Sequence, residues 1–109
     1  MAAAIVDLDI NEGDTFIMSI EFWENVDNTL PIDITTSTFT GTFKLGAKDI
    51  PITCEVSTYA DNVLELSVAY SLMRDLASQG KYEVDQLTVD NENFRLIQGV
   101  VRVNQEVSV

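Results

Sequence analysis

The chain has 109 residues and a mass of 12.1 kDa, which is the size of one domain with one core. Its 18 acidic and 6 basic residues give a net charge of −12 at pH 7. Nucleic acid and anionic membrane surfaces are therefore disfavoured as partners, because both are bound mainly through clustered Lys and Arg side chains. We interpret the acidity as a solvated surface, with an acidic face that meets a basic neighbour as the alternative.

The composition also excludes several kinds of catalytic and metal site. The chain has no histidine, so it contains neither a Ser-His-Asp system nor a histidine-bearing zinc site. Cys54 lies in phase with the apolar residues of an alternating run and is predicted to be a small buried hydrophobe. Asp7 and Asp9 leave a calcium ion as an alternative, although Gly13 is misplaced for an EF-hand loop. We predict a protein that is not an enzyme and has no cofactor.

No stretch of the sequence reaches the roughly 18 apolar residues of a membrane helix. The N-terminal segment 1–6 lacks the cationic start of a signal peptide. We therefore expect synthesis in a cytoplasm.

Most of the chain alternates between apolar and polar residues with a period of two, which is typical of strands with one buried face. Residues 5–10 and 15–23 are predicted as the first two strands, joined by a polar turn at 11–14. In the second strand, Ile17 and Trp23 are the apolar residues of the outer face. The predicted inner face of that strand consists of Phe16, Met18, Ile20 and Phe22.

After a polar loop at 24–29, the proline-containing segment 31–34 is predicted as a short edge strand. Three further strands have clear alternation, and turns at 46–49 and 60–62 separate them. These strands are predicted at 38–45, 50–57 and 63–70.

One stretch, residues 71–79, has the pattern of a short helix. Ser71 can cap its start, apolar residues spaced along one face follow, and Gly80 ends it. The apolar residues of that face are Leu72, Met73 and Leu76.

A final hairpin is predicted from residues 81–89 and 94–103, around a turn at 90–93. The phase of its apolar residues changes near Gly99, which predicts a β-bulge there. Seven or eight short strands and one helix predict an all-β fold in a single domain covering residues 1–109. The simplest such fold is an immunoglobulin-like antiparallel β-sandwich, with a closed barrel as the alternative.

Trp23 is the first candidate interaction residue, because an outward-facing aromatic can anchor an interface or stack on a sugar. The competing interpretation is a bend that turns its ring towards the core margin. The polar loop after Trp23 and the C-terminal segment 104–109 are the other natural docking segments. The interaction candidates are Trp23, Glu24, Asp27, Leu30, Val107 and Val109.

Four short motifs follow one another in an order that resembles a known family. They are INEGDTF at 10–16, PIDIT at 31–35, KYEV at 81–84 and RLIQGVVRV at 95–103. In this order they resemble small immunoglobulin-like modules of tailed-bacteriophage structural proteins, including the N-terminal module of baseplate upper proteins. The chain departs from the family pattern where an Asp-Gly turn normally precedes the proline segment.

The resemblance implies a virion component of the tail, baseplate or head that docks onto other virion proteins and copies of itself. Two functions of other classes remain as alternatives. One is a carbohydrate- or receptor-binding module that uses Trp23. The other is an acidic host-interaction protein that imitates the charge of nucleic acid.

Overall fold

The computed structural model describes residues 4–27 and 29–105. These residues form eight strands and one 3₁₀ turn, so the prediction of an all-β fold is confirmed. The strands are β1 (Ala4–Ile5), β2 (Leu8–Asn11), β3 (Phe16–Glu21), β4 (Thr38–Leu45), β5 (Lys48–Val56), β6 (Val63–Val68), β7 (Gln79–Leu87) and β8 (Asn93–Asn104). The 3₁₀ turn covers Tyr70–Leu72 and lies between β6 and β7.

The strands form one curled sheet in the order β1-β8-β7-β4-β5-β6-β3, with β2 also beside β8. β5 belongs to both halves of the curl, because residues 48–52 pair with β4 and residues 53–56 pair with β6. We call β1, β2, β8, β7, β4 and residues 48–52 the long half. The short half consists of residues 53–56, β6 and β3.

Two strand pairings differ from the prediction of a purely antiparallel sheet. β1 and β2 both run parallel to β8, whereas the other neighbours are antiparallel. The prediction was wrong because a local alternation pattern shows that a segment is a strand but does not identify its partner.

The core lies inside the curl, where the two halves face each other. Phe43 of β4 is fully buried, and its ring meets Phe16 of β3 edge-on, with the centroids 5.0 Å apart. The ring centroid of Tyr82 in β7 lies 6.0 Å from that of Phe43. Burial of a side chain such as Phe43 contributes about 1.5–3 kcal/mol, so this cluster holds the two halves together.

The predicted helix over residues 71–79 is wrong. The chain makes only the 3₁₀ turn at Tyr70–Leu72, and Asp75 then has a φ of 55°, a left-handed conformation that an α-helix cannot contain. Met73 and Leu76 are nevertheless buried, with 0% and 3% of their surfaces exposed. Their spacing therefore reflects an irregular segment packed over one end of the core.

The irregularity of the last strand lies before Gly99, so the predicted bulge there is also wrong. Val84 pairs with Ile97 and Asp85 pairs with Arg95, which leaves Leu96 as the extra residue. Gly99 serves a different purpose, since a Cβ atom at that position would lie 2.2 Å from the carbonyl oxygen of Val6. Glycine therefore lets the link between β1 and β2 lie directly against β8.

Candidate functional site

Three connections lie at one end of the curled sheet, which we call the loop end. They are the β3–β4 connection at 22–37, the β5–β6 turn at 57–62 and the β7–β8 turn at 88–92. The strand directions bring them together. β3 and β5 both run antiparallel to β6 and end beside its first residues, and β7 runs antiparallel to β4 and ends beside its first residues. Gln86 Nε2, near the end of β7, donates a hydrogen bond to Ser37 Oγ over 2.9 Å.

Backbone hydrogen bonds fix the β3–β4 connection against the β5–β6 turn. Phe22 N donates to Asn62 O over 2.9 Å, and Ile34 N donates to Asp61 O over 2.9 Å. Asn62 is buried, and its Nδ2 donates to Phe22 O over 3.3 Å. The predicted edge strand at 31–34 is in fact an irregular segment with one bridge, and the buried side chain of Ile34 anchors it.

The described residues 22–27 and 29–32 of the β3–β4 connection form a short hairpin. Trp23 and Pro31 form a bridge, and Glu24 N donates to Leu30 O over 2.8 Å. Proline fits opposite Trp23 because this position is not part of a continuous sheet and its missing N–H leaves no ladder bond unmade.

The Asn25 side chain holds the tip of this hairpin. Its Oδ1 accepts hydrogen bonds from the N–H groups of Thr29 and Leu30, each over 3.1 Å, and its Nδ2 donates to Thr29 Oγ1 over 2.6 Å. Asparagine is suited to this role because its amide can replace the backbone hydrogen bonds that a tight loop lacks. The side chain of Val26 projects from the tip and is 98% exposed.

The loop end combines exposed apolar side chains with negative charge. Its three connections contain no Lys or Arg. The large apolar residues exposed on or beside them are Val26, Leu30, Tyr59, Leu87, Val89 and Phe94. The acidic residues on the same connections are Glu24, Asp27, Asp33, Asp61, Asp90 and Glu92. A group of exposed apolar side chains surrounded by polar residues is typical of a protein interaction surface.

Trp23 lies at the base of the hairpin and is half-buried. Its Nε1 atom is enclosed and has no hydrogen-bond partner. An enclosed donor without a partner costs about 1–3 kcal/mol, so burial of the ring must offset this. The ring is therefore partly covered and does not lie on an open sheet face.

The hairpin brings three of the other candidates together. Glu24, Asp27 and Leu30 are all exposed on it. Val107 and Val109, the remaining candidates, lie outside the described residues. Sequence reasoning missed Val26, although a valine set among polar residues in a loop was a usable signal.

Cys54 is half-buried on β5, and burial raises the pKa of its thiol. The thiolate is the reactive form of cysteine, so a raised pKa makes this side chain a poor nucleophile.

The Asp7 carboxylate also has a structural contact. Its Oδ1 accepts a hydrogen bond from Val100 N over 3.0 Å, which fixes the link between β1 and β2 on β8. Residues 4–27 and 29–105 contain no group of three or more His, Cys, Asp or Glu side chains that could hold a metal ion.

The basic residues are unevenly distributed over the sheet. Lys44 and Arg95 lie on the long half, 3.7 Å and 3.1 Å from the Glu83 carboxylate, and Arg95 also contacts Asp85 over 3.0 Å. The strands of the short half contain no Lys or Arg. The molecule therefore has a mixed-charge half and an acidic half.

No protein-family model matches the chain, and no curated protein matches it in sequence. In the part of the chain that the structure describes, no helix is long and apolar enough to cross a membrane.

Proposed function

We propose that this protein is a non-enzymatic structural subunit of a tailed-bacteriophage virion, and that it docks on a neighbouring virion protein through its loop end. One observation carries the docking proposal. The hairpin over 22–32 holds Val26 almost fully exposed between the acidic residues Glu24 and Asp27. A tip that the Asn25 hydrogen bonds hold, with an apolar centre and acidic flanks, fits a partner surface with an apolar pocket and basic flanks.

The strand pairings support an immunoglobulin-like description of the fold. The pairs β3–β6, β4–β7 and β7–β8 correspond to the B–E, C–F and F–G pairs of that sandwich. The pairing of β5 with β6 corresponds to D–E. In this correspondence β1 and β2 together form strand A. Strand A here lies beside β8, which corresponds to G, and not beside β3, which corresponds to B.

The same correspondence supports the use of the loop end for binding. In immunoglobulin variable domains the B–C and F–G loops lie at one end and contact the ligand. Here those loops correspond to residues 22–37 and 88–92. Loops on a rigid scaffold carry binding more often than the strands that hold them.

The phage assignment is supported by the order of the four sequence motifs between residues 10 and 103. A subunit of this kind needs no tight single contact. Many copies on a symmetric particle gain avidity, so an acidic, partly apolar tip of modest affinity suffices.

A second candidate function, an acidic host-interaction protein, is favoured by one observation. Glu55 of β5 lies directly opposite Glu65 of β6, and the strands of the short half have no basic residue to offset them. Like charges in directly opposed positions destabilise a sheet. A basic partner would therefore reduce the repulsion between Glu55 and Glu65. The sugar-stacking alternative lacks such support, because Trp23 is half-buried.

The docking proposal is tested by incorporation of variants into virions. Val26→Lys places a cation at the hairpin tip, and we expect its amount in purified particles to fall about tenfold, a loss of about 1.4 kcal/mol in docking free energy. Leu72→Lys is the matched control, because Leu72 is 51% exposed and follows β6 at the opposite end of the sheet. Equal incorporation of the two variants would show that the loop end is not the docking surface.

A further inference from the structure

The two free edges of the curled sheet face each other across an open groove, which we call the seam. One wall is β2 and the other is β3. Among residues 4–27 and 29–105, β2 bonds only to β8 and β3 bonds only to β6. The seam has a volume of about 390 Å³. Its apolar lining includes Leu8 and Ile10 from β2, Phe16 and Met18 from β3, and Met73.

The core-facing side chains of β3 are incompletely covered along the seam. Phe16, Met18 and Ile20 pack against the core but are only half-buried. The residues opposite them on β6 are at most 2% exposed. Because β6 has a strand on each side and β3 has one on a single side, the missing cover is that of one further strand.

The backbone of β3 also has groups along the seam that bond to no other described residue. Phe22 N bonds to Asn62 O, in register with the β3–β6 ladder, and bonded residues alternate along an antiparallel pair. The backbone groups of Met18 and Ile20 therefore bond to β6. Those of Ile17 and Ser19 point into the seam.

This edge lacks the two residue types that most strongly block the addition of a strand, and its one charged residue, Glu21, lies at its end. The segment FIMSIE at 16–21 contains no proline and no lysine. The Ile17 side chain is 75% exposed on the outer face of the same strand. A largely apolar edge of six residues without proline or lysine can accept an extended segment.

The charge of the seam specifies the segment further. Asp9 and Asp14 belong to its lining, which contains no Lys or Arg. A second copy of this chain would bring its own net charge of −12 to the same place, and repulsion disfavours that occupant.

We propose that the seam binds an extended segment of another protein, in which Lys or Arg alternates with large apolar residues, by β-strand addition to β3. The backbone of the segment pairs with Ile17 and Ser19. Its apolar side chains cover Phe16 and Met18, and its cations face the acidic lining of the seam. This surface is separate from the loop end, so the inference does not depend on the proposed function.

The first test uses the full chain and a synthetic probe peptide of sequence Lys-Val-Lys-Ile-Arg-Val-Lys with blocked ends. Amide hydrogen exchange is followed by NMR with and without saturating peptide. We expect exchange at Ile17 and Ser19 to slow by at least about tenfold on binding, because their N–H groups gain partners. Exchange at Met18 and Ile20 changes little, since these amides already bond to β6.

A peptide of the same composition, Lys-Lys-Lys-Arg-Val-Ile-Val, separates strand addition from simple charge attraction. We expect it to bind at least about tenfold more weakly, because it cannot present alternate apolar side chains to the core. Equal binding of the two peptides would overturn the proposal.

A matched pair of variants tests the edge itself. Ser19→Pro removes an N–H that faces the seam and leaves the ladder to β6 intact, whereas Ser19→Ala keeps the N–H. We expect the proline variant to weaken peptide binding at least about tenfold and the alanine variant to bind as the wild type does. Unchanged exchange at Met18 and Ile20 in the free variants shows that β3 is still paired.

Three further results would overturn the inference. They are binding that survives Ser19→Pro in a folded protein, no added protection of Ile17 and Ser19, and concentration-dependent protection of these amides without peptide. The last result would identify a second copy as the occupant. The Val26→Lys variant should bind the peptide within about twofold of the wild type, so failure at the loop end is distinguished from failure at the seam.

Discussion

The Tyr82 hydroxyl donates a hydrogen bond to the carbonyl oxygen of Val6 over 2.6 Å. Tyr82 lies on β7 and is 2% exposed, while Val6 lies in the link between β1 and β2. The bond therefore ties the first two strands to the core. Burial, followed by the negative charge of Asp7, raises the pKa of the Tyr82 hydroxyl.

Tyr82→Phe tests this anchor. We expect the free energy of unfolding to fall by about 0.5–1.5 kcal/mol in urea titrations at pH 7, because one hydrogen bond is lost while the ring is kept. Tyr70→Phe is the control, since Tyr70 is 56% exposed, and it should change little. Equal stability of the Tyr82→Phe variant and the wild type would mean that the bond does not hold the first strands.

The raised pKa of Tyr82 also sets a pH dependence. A folded-state pKa above the unfolded value stabilises the fold at pH values below the ordinary tyrosine pKa of about 10. That contribution is lost as the pH rises through the folded-state value. We therefore expect the stability difference between wild type and Tyr82→Phe to shrink above pH ~10 in urea titrations at several pH values. A difference that stays constant would contradict this assignment.

Gly99→Ala tests the close approach of the same link to β8. The new Cβ would lie 2.2 Å from Val6 O, so the link must move away from the sheet. We expect a loss of about 1–3 kcal/mol in the free energy of unfolding. Thr40→Ala, at an exposed position of β4, should cost less than half as much. A Gly99→Ala protein as stable as the wild type would contradict the packing described for this link.

Asn25→Ala tests the tip of the hairpin. The variant loses the acceptor for the Thr29 and Leu30 amides, so these amides should exchange with solvent at least about tenfold faster by NMR. Asn25→Asp keeps that acceptor and should preserve most of the protection. Global stability should change by less than about 1 kcal/mol in both, because the site is solvent-accessible. Fast exchange of the Thr29 and Leu30 amides in the aspartate variant would mean that the Asn25 acceptor does not protect them.

Asp33 provides a pH test within the loop end. The Thr35 hydroxyl and amide both donate to Asp33 Oδ1, over 2.7 Å and 2.9 Å, and lower the pKa of that carboxyl. This stabilising contribution is present above the ordinary carboxyl pKa and is lost as the pH falls through the lowered value. In Thr35→Val we expect the pKa of Asp33 to rise towards its ordinary value in a carboxyl NMR titration. Thr36→Val, the matched control, should leave it unchanged.

Much of the sheet could be predicted from the sequence, because alternation reports directly which face of a strand is buried. The predicted strand at 38–45 coincides with β4, and the one at 94–103 lies within β8. The helix was predicted wrongly because the spacing of Met73 and Leu76 is equally compatible with an irregular segment whose side chains reach the core.

Features that depend on distant parts of the chain could not be predicted. The parallel position of β1 and β2 beside β8 depends on the contact between Val6 and Gly99, which are far apart in the sequence. The seam was not predicted for the same reason, since it exists only because β2 and β3 do not pair. At the loop end, the polar composition indicated Glu24, Asp27 and Leu30, whereas the exposure of Val26 follows from the contacts of Asn25.

The most direct test of the proposed function is quantitative mass spectrometry of purified particles of the phage that, on this proposal, encodes the chain, with the copy number measured against the major capsid protein. We expect a fixed copy number. A value of about 3 to 18 would indicate a tail or baseplate ring with cyclic symmetry, and a value in the hundreds would indicate a head subunit. Absence of the protein from the particles would contradict the account and leave the acidic host-interaction protein as the function to pursue.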